Sequence, residues 1–436
     1  MLSRYHYQIP ISYIPFKHNL TLIGDQAALF DLGRDIFSEL DLSGRNKALK
    51  QEFLNMLILN LINGYKAGLY FSISRDDKYY SNIPARYKPA YLKYSIVIEV
   101  LDKMFNEDYL LYERASYNQT TGIGIQSRYA ASDKLIAKLS NCSNFTVVED
   151  LPKESIVLHG SNGKKIGYVD TANTNLMRNE VQQYNVLRSK STLTLDNVPA
   201  DLFMDYKHEL ILSGLIPNIY IIPAVNNSHS GLILKPTYLK RVFNCSFSQG
   251  GRFYCGAESM LKKEFRPYIH INGQPTCEID FKAMHIRMLY HRMKIDYRKD
   301  PYLIDDLRDI YKVVALTLVN AKTRLDAIKG IRKKLVDEEL HKQINKLTDD
   351  NISKLLDRFE KKHCKINNDF YSSPAIDLMY LDSQIANAVI KHFTKKGVVC
   401  LCVHDSFIVP VRYRKELIQE MRAAYKAEIG FKPVVK

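Results

Sequence analysis

Apolar positions along this chain change period several times, and each change marks an element. From Lys47 to Asn63, Leu49, Phe53, Leu54, Leu57, Ile58, Leu61 and Ile62 recur at helical spacing. Gly68 to Ser74 then reads as a strand. Pro89 precedes a second helical stripe of Leu92, Ile96, Val100, Leu101 and Met104. Asp108 to Arg114 turns extended, 118–124 is a loop, and Ile125 to Ala131 is extended again and carries Arg128. Residues 1–45 are poorly periodic, whereas 141–235 alternate short strands with one helix over Thr174 to Ser189. The polar run Asn226 to Gly231 predicts a boundary loop. Residues 296–363 are helical and charged, and the basic run Lys329 to Lys334 suits a solvated helix face.

The last apolar runs carry the most chemistry. Gly397 to Cys402 and Ile408 to Pro410 flank the word Val403-His404-Asp405-Ser406-Phe407. Both flanks are strand length and β-branched, so the pattern predicts two buried strands meeting at a tight turn. A carboxylate there must be paired, hydrogen-bonded or bound to a cation. Asp280 is the best partner: a short strand ends at it, and a helix with Met284, Arg287, Met288 and His291 follows. Two Asp residues at neighbouring strand ends form a site for hard, oxygen-loving Mg²⁺. Two such ions, roughly 3.5–4 Å apart, can activate a hydroxyl and neutralise a leaving pyrophosphate. Arg308, Lys312, Leu316 and Asn320 fall at steps of four. Each step turns about 400°, so the stripe stays on one side of a helix. Its two cations suit a triphosphate, and Leu316 and Asn320 lie roughly 6 and 12 Å further along the axis.

Composition narrows the partner. Among 436 residues, 62 Lys and Arg stand against 47 Asp and Glu, a net charge of +15, which favours a polyanion such as nucleic acid. The 29 Tyr and 18 Phe supply rings that can stack on bases. No run approaches a membrane span of roughly 18 apolar residues. The first residues lack a signal-peptide layout, and the seven Cys are scattered with no C-x-x-C pair. A cytoplasmic protein with reduced thiols and no membrane partner is the expectation.

Asp280 with Arg287, the Arg308/Lys312 helix and His404-Asp405-Ser406 occur in the order of polymerase motifs A, B and C. That order resembles the family A DNA polymerases and the related single-subunit, phage-type RNA polymerases. Asp382-Ser383-Gln384-Ile385-Ala386, opening a helix to Thr394 before the last strand, and Gly250-Gly251-Arg252-Phe253-Tyr254 ahead of motif A extend the resemblance over 241–436. It implies an α+β fold, a right-hand polymerase with an antiparallel-sheet palm and helical fingers. Asp280, Asp405 and the Phe281 carbonyl would bind Mg²⁺, with Mn²⁺ as a substitute. Arg308 and Lys312 would grip the triphosphate, with His285, Leu316 and Asn320 around base and sugar. His404 would position the primer end, and Arg252, Arg287 and Gln384 would contact DNA.

Upstream, helix, strand, helix and a hairpin with a basic arm is the order of a winged helix. The run Gly124 to Ser132 is similar to the wing of some replication initiators, which would make Arg128 a DNA contact. The resulting division is an N-terminal segment 1–45, a winged-helix-like region 46–140, a connector or thumb-like region 141–235, and a palm over 236–436 with fingers at about 296–380.

The sequence departs from the DNA-polymerase pattern at His285 (usually Glu), Leu316 (usually aromatic), Asn320 (usually Tyr) and Ser406 (often Glu). A shorter Asn opens space beside the sugar, while His285 keeps bulk, so dNTP and rNTP both stay open. There is no Walker A loop, no zinc-ligand cluster and no proofreading set of acids, so a helicase or small accessory protein would be separate. The resemblance points to a compact phage or mobile-element DNA polymerase or primase-polymerase acting on primer-template or single-stranded DNA. The alternatives are an RNA polymerase or primase on the same palm, and a non-catalytic winged-helix replication initiator.

Overall fold

A computed structural model describes residues 13–24, 26–119, 123–140, 145–212, 231–235, 237–254, 256–344, 346–372 and 375–436. The expected boundary loop at 226–230 lies outside them. The chain divides into two units, one of 1–155, 165–240 and 255–275, the other of 156–164, 241–254 and 276–436. Both mix helices with strands. Among the described residues no helix is long and apolar enough to cross a membrane.

In the first unit the helix Lys47–Ala67 realises the stripe read from the sequence, with Phe53, Leu54, Leu57, Ile58, Leu61 and Ile62 buried. Each such side chain contributes roughly 1.5–3 kcal/mol on leaving water. Gly68 ends the helix at φ 66°, its amide donating to Tyr65 and that of Leu69 to Gly64, a left-handed cap that favours glycine. The helix is followed by a strand Tyr70–Ser72, a helix Tyr94–Asn106, a strand Leu110–Glu113, a hairpin Ser116–Asn118 with Ile123–Ile125, and a strand Arg128–Ala131. Arg128–Ala131 pairs antiparallel with both Tyr70–Ser72 and Leu110–Glu113, and Tyr13–Pro15 joins the far side in parallel. The long extended run expected from Ile125 to Ala131 is therefore two strands, because Gln126-Ser127 leaves the first hairpin before the sheet resumes.

In the second unit the strand Ser406–Pro410 is buried throughout and lies between Gln274–Asp280 and Leu401–Val403, antiparallel to each. Burial explains the apolar run Phe407 to Pro410 that follows Ser406, whose hydroxyl donates to Glu278. The register sets Asp280 opposite Ser406 and Cys277 opposite Val409. The chain end returns alongside: Asp280 and Lys436 exchange both backbone hydrogen bonds at 3.0 Å, and the Lys282 amide donates to Val434 at 2.9 Å. The helix Ala375–Lys395 packs on the long strand Ser246–Tyr254, itself hydrogen-bonded in a sheet with Lys240–Asn244 and Ile156–His159. Helices Arg308–Asn320, Arg324–Asp337 and Asp349–Lys362 pack together as the charged helical region foresaw.

Glycine permits the closest of these approaches. Gly251 sits at φ +81°, and a Cβ there would fall 2.6 Å from the Phe243 ring and 2.9 Å from Ser383 Oγ. Buried His363 ties the helical group to the loop before it, its two ring nitrogens lying 2.8 Å from the Tyr290 hydroxyl and 2.9 Å from the Pro301 carbonyl. Burial lowers its pKa to about 4, so it is a neutral packing residue at physiological pH.

Candidate functional site

The candidate site stands at one end of the neighbouring strands Gln274–Asp280, Ser406–Pro410 and Leu401–Val403. Leu401–Val403 and Ser406–Pro410 are joined by His404-Asp405 alone, the tight turn expected from the sequence. A two-residue hairpin loop needs positive φ at its first central position, normally met by glycine, Asn or Asp. Here His404 adopts φ 56°. A non-glycine residue there costs on the order of 1 kcal/mol and calls for a compensating role. The His404 ring is exposed and meets Tyr254 edge-on at 6.1 Å.

Asp280 ends the neighbouring strand, and the next amide, Phe281 N–H, donates to the Asp405 carbonyl at 3.1 Å. The sheet thus clamps the two Asp residues side by side. Burial and then the Asp280 carboxylate push the Asp405 pKa up to about 6, with a further upward push from Asp382 and an opposing pull from His285. The Lys282 ammonium sits 3.0 Å from Asp280 Oδ2 and offsets part of the repulsion. The Phe281 ring is core, packed against Phe407 and Tyr425.

The Arg308–Asn320 helix presents the expected stripe. Arg308, Lys312, Leu316 and Asn320 are exposed, as is Asp309, while Ile310, Tyr311, Val313 to Ala315 and Thr317 to Val319 are buried. Arg308 is not a free cation: its Nε is 2.8 Å from Asp300 Oδ2 and its Nη1 is 3.5 Å from Asp309. Lys312 has no ion-pair partner among the described residues. The Asn320 amide folds back to donate to the Leu316 carbonyl at 2.6 Å.

Three arginines read as DNA contacts are engaged within the protein. Arg128 is 8% exposed and pairs with Glu113 directly across the sheet, so it serves the first unit's interior. Arg287 is 4% exposed, and its guanidinium donates to the carbonyls of Lys282, Tyr297, Arg298 and Lys299. It fastens the 297–299 loop to the junction after Asp280 and has no face left for a phosphate. Arg252 donates through Nε to both Asp382 oxygens at 3.1 and 3.0 Å and through Nη2 to Oδ2. In this arrangement it braces the site. Gln384 is half-buried two positions along the same helix.

Sequence reading missed Asp382 as a site residue. It is 3% exposed and joins Arg252 to His285, whose Nε2 lies 2.8 Å from Asp382 Oδ2 and 3.1 Å from Arg252 Nη2. The available signal was an acid on the apolar face of its helix, between Leu378 and Ile385-Ala386. The helix begins at Ala375 rather than Asp382, so Asp382 is an interior helical position and not a start. Tyr302 was also missed. It is buried, and burial followed by the Asp405 charge raises its hydroxyl pKa.

No family model matches the chain, and no curated protein matches it. Solved structures do match. One is the POL domain of Pol1 from M. smegmatis in complex with DNA primer-template and dNTP, at TM-score 0.32 and 11% identity. The match covers 58% of this chain and about half of that one, 54%.

Proposed function

We propose that this protein is a template-directed nucleotidyltransferase, a family A-like DNA polymerase that extends a 3′ end with the Asp280/Asp405 pair at its centre. The observation that carries the reading is that pair. A ladder of backbone hydrogen bonds holds two carboxylates together at a sheet end, one of them driven up to about 6 by burial and by the other.

The pair fits a divalent cation. Both donors are hard carboxylate oxygens, their mutual repulsion is what a cation relieves, and the Lys282 ammonium already occupies one oxygen of Asp280 as a monovalent stand-in. Asp280 and Asp405 would hold Mg²⁺, with the Phe281 carbonyl as a further oxygen. When bound, Mg²⁺ supplies a lowered pKa for the attacking 3′-hydroxyl and charge neutralisation for the leaving pyrophosphate.

The chain's own residues do the rest by position and charge. Lys312 and Arg308 face the triphosphate, Arg308 exchanging Asp300 for phosphate oxygens. Cations already facing the leaving group stabilise charge as it develops there, without reorganisation. Lys282 would give up Asp280 Oδ2 to a divalent cation held there. His285, held by Asp382 and Arg252, forms a fixed polar wall where the sugar sits, and exposed His404 meets the primer end.

A second reading is favoured by Asn320. Its amide is turned back onto its own helix, which leaves the sugar's other side open. A ribose 2′-hydroxyl fits there, so primer synthesis or RNA polymerisation is the runner-up. Extension assays separate the two readings. Primed and unprimed templates are each given dNTPs or rNTPs with Mg²⁺, for wild type and Asp405→Asn. Expected is primed dNTP incorporation that falls by roughly 10³-fold in the variant. Equal, negligible incorporation by both proteins under every condition would sink the proposal, and product only from rNTPs without a primer would select the second reading.

A further inference from the structure

Behind the chain's last segment lies a cationic cavity of about 310 Å³ that the proposed chemistry does not use, lined by Arg298, Arg422, Lys426 and Lys432 with Ala423 and Pro433. Arg422 and Lys426 are four residues apart on one face of the helix Arg414–Ile429. Arg298 comes from the loop held by Arg287, and Lys432 from the stretch leading to the 434–436 segment beside Asp280. Arg298 has an acid, Asp296, with its Nε 2.7 Å from Oδ1. Among the described residues Arg422, Lys426 and Lys432 have no ion-pair partner.

The convergence is built in. Phe431, next to Lys432, stacks on the His291 ring at 4.4 Å and 2°. Tyr425, next to Lys426, places its hydroxyl 2.9 Å from His291 Nδ1. Buried His291 thus fastens two cation-bearing segments to the helix Met284–Arg292, and Arg287 of that helix fastens the third. Four cations held at one cavity repel one another, and an oligoanion is the chemistry that neutralises them. The cavity wall carries no carboxylate and no aromatic ring, and its four cationic side chains match phosphate oxygens.

We infer that this cavity is a second, sequence-independent phosphate site, sharing no lining residue with the Asp280/Asp405 pair, that takes adjacent backbone phosphates of a single-stranded nucleic acid. Choosing a nucleic-acid strand over free polyphosphate rests on the proposed function; the phosphate chemistry does not. The site would anchor a strand during synthesis, and its coupling to the strand of Asp280 runs through His291, Arg287 and the 434–436 pairing.

The test measures binding of the full chain to a labelled mixed-sequence single-stranded 20-mer across a salt series, without nucleotide or divalent metal. Arg422→Ala with Lys426→Ala is compared with wild type. Lys342→Ala with Lys354→Ala, two cations paired to Glu339 and Asp350, is the control for lost charge. Losing two phosphate contacts should lower the slope of log affinity against log salt by about 1.4 and weaken binding roughly tenfold near 0.1 M salt. Arg422→Lys with Lys426→Arg should restore both. Affinity and slope equal to the control would overturn the inference. Unchanged oligonucleotide binding with loss of tripolyphosphate binding would overturn the nucleic-acid assignment and make free polyphosphate the ligand. Because the assay needs no catalysis, a protein that binds as expected yet never incorporates nucleotide would refute the polymerase reading while leaving this site standing.

Discussion

Two sheets in this molecule carry charge into their strands, and they do so with opposite sign logic. In the first unit Glu113 and Arg128 stand directly opposite each other on antiparallel strands and form an ion pair. Opposite charges facing across a sheet stabilise it. In the second unit the sheet end places Asp280 beside Asp405, and like charges so placed are destabilising. The first arrangement answers a structural need. The second creates a cost that Lys282 offsets in part and that a divalent cation, under the proposed function, would relieve. Under the proposed function, the contrast separates charges that hold the fold from charges that would meet a ligand.

Removing one charge from each sheet should therefore move stability in opposite directions. Arg128→Met leaves Glu113 facing an apolar side chain and is expected to destabilise the first unit by about 3 kcal/mol, somewhat less for the partly exposed Glu113. Thermal unfolding would report it. If Arg128→Met instead left unfolding unchanged and only weakened duplex binding, Arg128 would be a DNA contact and the comparison would fail. Asp405→Asn should stabilise the metal-free protein by on the order of 1–3 kcal/mol at neutral pH, because it removes the repelled carboxylate.

The pH dependence follows from the same shift. Unfolded Asp titrates near 3.9, whereas folded Asp405 holds its proton up to about 6. Between those values the folded state binds more protons, so this group's contribution falls as pH rises from about 4 to 6 and stays lost above. The unfolding difference between wild type and Asp405→Asn should vanish near pH 4 and be full at pH 7. Adding Mg²⁺ at pH 7 should raise the wild-type midpoint and leave that of Asp405→Asn nearly unchanged. A wild-type midpoint indifferent to Mg²⁺ would mean that the pair is not a cation site.

The turn and its carboxylate were readable because both depend on short-range pattern. Apolar runs around Asp405 dictate buried strands, and a two-residue gap dictates a hairpin. The exposed stripe of Arg308, Lys312, Leu316 and Asn320 was readable for the same reason, since helical period alone sets it. What could not be read was where long polar side chains end. Arg287 and Arg252 sit in motif-like positions, yet their guanidiniums turn to carbonyls of 297–299 and to Asp382, which are 10 to 130 residues away along the chain. The strand Ser246–Tyr254 was also hidden, because Gly250-Gly251 argues against a strand interior. Both glycines take positive φ, and the second makes room for the Ala375–Lys395 helix. Local sequence favoured a turn, and tertiary packing overrode it.

The smallest expected effect concerns the sugar. His285 is fixed between Asp382 and Arg252, whereas Asn320 is turned back onto its own helix, so under the proposed function one side of the sugar would be closed and the other open. Asn320→Tyr fills the open side with an aromatic ring and should lower rNTP incorporation relative to dNTP by about tenfold, with dNTP incorporation little changed. Asp382→Asn keeps the shape but weakens the charge that holds His285 and Arg252. It should blunt discrimination between the two sugars more than it lowers the rate on the preferred one, because His285 gains freedom while Asp280, Asp405 and Lys312 stay in place. The rNTP-to-dNTP ratio, measured on one primed template, reads both variants. An unchanged ratio in Asn320→Tyr would place the sugar away from that helix and break the link between the exposed stripe and the carboxylate pair.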